Sequence, residues 1–146
     1  MALDETQLSA LLQASIDFAG QLLVQEGGFA PFGARARPDG EVEFVQLPAQ
    51  GEADLEVVYQ RIGGTLAEEA RAGAILGAAL IANTRVQGLA DDGFTTAMVV
   101  MIETPGFSRS ITVPYRLMPI DGGPARVEFG QMIPEEREAV LFPVLN

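Results

Sequence analysis

The sequence contains no cysteine, no histidine, no tryptophan and no lysine, and its nine basic residues are all arginine. Each absence removes a kind of chemistry. Without cysteine there are no disulfides, thiolate nucleophiles or thiolate metal ligands. Without histidine there is no Ser-His-Asp relay and no imidazole metal site. Without lysine there is no Schiff base and no lysine of a phosphate-binding loop. An enzyme would have to work with carboxylates, tyrosine, hydroxyls and arginine. Acids do occur side by side, as Glu68-Glu69, Asp91-Asp92 and Glu135-Glu136. Neighbours on a helix or strand, however, point in different directions and make no convergent pair. No oxygen-ligand loop of calcium-binding spacing is present either. These residues give no catalytic group, no metal and no cofactor, and they argue against an enzyme.

Also missing is any apolar run of the roughly 18 residues that a membrane-spanning helix needs. The first ten residues, MALDETQLSA, lack the basic start and apolar centre of a signal peptide, so a soluble, cytoplasmic protein is expected. Basic charge is scarce as well: 20 acids against 9 arginines leave a net charge of −11. Such a chain repels nucleic-acid phosphates and anionic membranes, and admits a basic protein as partner.

What is present is an ordinary amount of apolar material, 48% of 146 residues, enough to bury the core of a single α+β domain over 1–146. Leu8, Leu11, Leu12, Ile16, Ala19, Leu22 and Leu23 recur at helical spacing, with Asp4 and Gln7 placed as a capping box and Gly27-Gly28 as the stop. The glycine-rich stretch that follows, GGFAPFGARARPDGEVEFV, carries Arg35 and Arg37 and poses a choice between an anion cradle and a hairpin. Strand-like residues, not a helix N-terminus, come after its Pro-Asp-Gly turn, which favours the hairpin with Val42 and Phe44 on one face and Glu43 on the other. Residues 52–72 read as a second helix, interrupted at Gly63-Gly64 and restarted by a capping box from Thr65 to Glu68. AILGAALIANTRV and FTTAMVVMIET read as central strands buried on both faces, joined by the turn residues Asp91-Asp92-Gly93. SRSITVPYRLM alternates as a strand that Pro114 confines to an edge or a bulge, and ARVEFGQM is a shorter strand. Pro134 is placed to open a short C-terminal helix.

Read together, GGF-x-PFG, the DG turn before EVEFV, VPYR and VEFG resemble a pattern found in an uncharacterised family of small acidic bacterial proteins. The resemblance implies a bacterial single-domain protein of unassigned activity and transfers no functional residue.

The expected architecture is therefore α+β, a mostly antiparallel sheet of five or six strands with two helices packed on one face. Tyr115, Arg116 and Glu103 are the candidate ligand-binding residues, polar groups on strands of an apolar region. The leading functional expectation is a non-enzymatic acidic interaction module of the inhibitor or immunity type. The alternatives are a small-molecule-binding domain with a mainly apolar pocket and, behind it, a carboxylate-based enzyme. Two helices on one face would leave the other bare, to be covered by the C-terminal AVLFPVLN or, the favoured expectation, by a second copy in a homodimer.

Overall fold

In the computed structural model, residues 3–47, 55–89, 94–118, 122 and 125–142 are described. Helix α1 spans Glu5–Glu26 and opens on the expected capping box: Gln7 N–H donates to the Asp4 carboxylate, and the Asp4 N–H donates to the Gln7 side chain. It closes at Gly27, whose φ of 78° is the left-handed conformation that glycine adopts without steric cost. Strands β1 (Phe32–Ala36) and β2 (Val42–Val45) form the expected hairpin, its turn closed by Gly40 N–H donating to the Arg37 carbonyl at 2.8 Å.

Helix α2 (Leu55–Arg71) runs straight through Gly63 and Gly64. The expected restart at Thr65 does not occur: its hydroxyl donates to the Arg61 carbonyl one turn back, a bond available only inside a continuous helix. Gly63 instead allows a close approach, since a Cβ there would stand 3.4 Å from a Leu80 methyl.

The remaining strands are β3 (Gly77–Leu89), β4 (Phe94–Thr104), β5 (Phe107–Met118), β6 (Arg126–Phe129) and β7 (Ile133–Glu136). The antiparallel sheet has the order β2-β1-β3-β4-β5-β6, with β7 also pairing β5. Two expectations fail here. Pro134 lies in strand β7, paired with Ile111, and opens no helix. Strand β5 lies inside the sheet: β7 takes its residues 109–112 and β6 its residues 115–118. Pro114 falls in the gap between those two partners, where its missing N–H breaks no ladder on that side. The Asp91-Asp92-Gly93 turn lies outside the described residues.

The fold class is as expected, an α+β domain with two helices on a mostly antiparallel sheet, but the helices do not share a face. Alternation along β1 and β3 decides this. Phe32, Ala34, Ala36, Ala79 and Ile81 pack with Leu11, Ile16, Ala19 and Leu23 of α1. Gly33, Ala78 and Leu80, the residues between them, meet Ile62 and Leu66 of α2. Strands with two apolar faces need a cover on both, and one helix goes to each. The C-terminal segment contributes as well, Leu141 and Phe142 joining the cluster of α2 with Leu80 and Met101. No helix among the described residues is long and apolar enough to cross a membrane.

Candidate interaction surface

Tyr115, Arg116 and Glu103 are not brought together. Neighbours on a strand point to opposite faces, so Tyr115 turns toward α1 and Arg116 away from it. The Tyr115 hydroxyl donates to the Asn83 side-chain oxygen at 2.7 Å, and the Asn83 amide donates to the Phe29 carbonyl at 3.1 Å. This chain of bonds ties β5 across β4 to the loop that follows α1. Burial pushes the Tyr115 phenol above its ordinary value of 10.0. Arg116 pairs with Glu128 at 2.7 Å and lies 4.6 Å over the Phe94 ring. Its hydrogen bond is the main cause holding the Glu128 carboxyl below the usual range.

Glu103 sits at the far end of β4, seven residues along the strand from Thr96, the cross-strand neighbour of Tyr115. It is wholly buried, and its carboxylate accepts hydrogen bonds at 3.0–3.2 Å from the backbone N–H groups of Val140, Leu141 and Phe142. A buried charge is tolerated when donors surround it in this way. The sequence marks this residue as a lone acid ending an apolar strand; that its partners are tail amides has no sequence signature.

The arginines of the glycine-rich stretch are committed to acids of the chain itself. Arg35 bridges Glu43 of β2 at 3.1 Å and Glu69 of α2 at 2.7 Å, and Arg37 reaches Glu43 at 2.7 Å. This supports the hairpin reading over the anion cradle, and it fastens α2 to the edge of the sheet.

A concavity among the described residues lies elsewhere. It is an open groove of about 690 Å³ between α1 and β6. Its floor on the helix side is the row Ile16, Gly20, Val24, four residues apart on one face, with Asp17, Gln21 and Gln25 on the rim. Across it stand Val127 and Phe129, on the strand that ends the sheet. Gly20 keeps the groove deep: a Cβ at that position would stand 3.6 Å from the Phe129 ring. Phe129 is 42% exposed, and among the described residues β6 pairs with β5 alone. Among the described residues nothing pairs with its outer edge, which lies next to apolar side chains; edges of this kind can take up an extended segment. Sequence reasoning missed the groove: Ile16 reads there as part of the core stripe, and nothing in the sequence singles out Gly20 or Val24.

No group of three or more acids placed to hold a metal occurs among the described residues. No protein-family model, no curated protein and no solved structure matches the chain.

Proposed function

We propose that the protein is a non-enzymatic interaction module whose groove between α1 and β6 receives an extended, apolar segment of a basic protein. The observation that carries this reading is an edge strand with no outer partner among the described residues beside a largely apolar groove of about 690 Å³. Charge selects the class of partner. A body of net charge −11 attracts a basic protein at long range and repels another acidic one, a second copy included. The groove is open along its length, which suits a chain segment better than an enclosed small molecule.

The test fills the groove. Gly20→Trp places an indole against Phe129, at a helical position whose Cβ meets no backbone. Native and variant chains are compared as baits for basic proteins at low and at high salt. The expected result is a basic protein retained by the native chain at low salt and lost both to Gly20→Trp and to added salt. Retention that ignores the variant would overturn the groove as the site. Light scattering coupled to size exclusion covers the competing occupant. The single-chain mass of 15.5 kDa is expected at low ionic strength, whereas a doubled mass that Gly20→Trp abolishes would assign the groove to a homodimer.

A further inference from the structure

On the face of the sheet opposite the groove, residues 138–142 follow β7 without entering any helix or strand. Their attachment is narrow. The N–H groups of Val140, Leu141 and Phe142 all donate to one carboxylate, that of Glu103. Leu141 and Phe142 are buried against Leu80 and Met101 of the sheet and Ile62 and Leu66 of α2, while Val140 between them and the strand is 58% exposed. At the root of the segment the Ser108 hydroxyl reaches the Glu138 carbonyl at 3.5 Å, and Arg137 lies against the Tyr59 hydroxyl of α2. The sheet beneath, by contrast, is held by ladders that run unbroken from Ala78 to Arg85 between β3 and β4 and along β4 and β5.

We infer that residues 138–142 form a strap that opens as a unit while the sheet stays closed, and that Glu103, which accepts from the amides of Val140, Leu141 and Phe142, is the main polar anchor that shuts it. The physical reason is concentration of the attachment. Three successive backbone donors converge on one carboxyl group, so loss of that acceptor frees all of them together. The side chains that the strap covers, Leu80, Met101, Ile62 and Leu66, already form a packed apolar patch on α2 and the sheet. Opening therefore uncovers an apolar surface without dismantling the elements that build it. Segments with few ladder bonds open at a lower free energy than the core does. This inference concerns the face away from the groove and is independent of the groove's occupant.

Native-state hydrogen exchange on the full chain tests it. The amides of Val140, Leu141 and Phe142 are expected to exchange through a local opening, distinctly faster than those of Ile81 and Val100 and with little dependence on denaturant. Glu103→Gln keeps the side-chain shape but replaces one acceptor oxygen by an amide donor facing the tail N–H groups. It is expected to speed exchange at residues 140–142 roughly ten- to a hundredfold, the range that losing charge-assisted hydrogen bonds implies, while Ile81 and Val100 keep their protection. Binding of the dye anilinonaphthalene sulfonate should rise in parallel. If the tail and core amides of the native chain share one protection, the strap is not a separate unit and the inference fails. It fails equally if Glu103→Gln leaves the tail amides unchanged, or exposes core and tail alike.

Discussion

At the scale of single residues, the groups whose titration is displaced owe the displacement to hydrogen-bonded arginines or to burial. Glu43 is held below the usual carboxylate value of 4.5, first by its hydrogen bond to Arg37 and also by Arg35; Glu128 is held down by Arg116. A carboxyl whose folded-state pKa is lowered adds stability above the ordinary carboxylate range and loses it as pH falls through the folded value. Acid titration followed by carboxyl NMR shifts should therefore show both residues protonating below the ordinary carboxylate value of 4.5. The two tyrosines behave in the opposite sense. Burial is the first cause raising both Tyr59 and Tyr115 above 10.0. A group whose folded-state pKa is raised adds stability below the unfolded value and loses it as pH rises toward the folded one. Phenolate absorbance should show neither tyrosine ionising in the native protein until above pH 10, with stability declining over that same interval; a phenol titrating at its ordinary value would contradict the burial described for it.

At the scale of elements, glycines separate where the backbone needs freedom from where it needs room. Gly64 lies in the interior of α2, exposed, with nothing within 4 Å of a Cβ built on it. Gly64→Ala should therefore stabilise the protein by about 1 kcal/mol through helix propensity alone. Gly33 of β1 is the contrasting case. A Cβ there would lie 2.7 Å from Ile62 Cγ2 and 3.1 Å from Leu66 Cδ1, at the point where α2 crosses the strand. Gly33→Ala should cost roughly 1–3 kcal/mol, as overpacking of a tight core does. Denaturant unfolding of both variants decides the matter, and a gain at Gly33 would mean that α2 does not pack on that strand. At the start of α1, Asp4→Ala removes the acceptor for the Gln7 N–H and should cost about 1 kcal/mol in the same assay.

At the scale of the whole molecule, both faces of the central strands are covered from within the chain, one by α1 and the other by α2 with the strap. Leu141 and Phe142 should thus hold the strap down. Phe142→Ala empties a buried site beside Met101 and is expected to speed amide exchange at residues 140–142 while Ile81 and Val100 stay protected. Unchanged exchange in the tail would mean that this side chain does not hold the strap. The acidic charge acts at this scale too. Net charge bears on which charged molecules approach a protein more than on how tightly they are held.

Much of this was legible in the residues because it is local. The capping box of α1, the Pro-Asp-Gly hairpin, the double-sided apolar strands β3 and β4 and the excluded chemistries each depend on a few neighbours in sequence, whose propensities and periodicities act without the rest of the chain. What depended on contacts across the chain could not be read. Gly63-Gly64 looked like a break, and the helix runs through both, with Gly63 next to Leu80. Pro134 looked like a helix start, and pairing with Ile111 makes it a strand. Tyr115 and Arg116 looked like partners, and the pleat sends them to opposite faces. The sequence by itself determined the class of fold, the acidic charge and the chemistry this protein lacks, since composition and short-range pattern suffice for those. Only the tertiary structure decided that the helices divide between the two faces, that Glu103 clasps the tail and that α1 and β6 leave a groove, because each of these is a meeting of residues far apart in the chain, fixed by how the whole core closes.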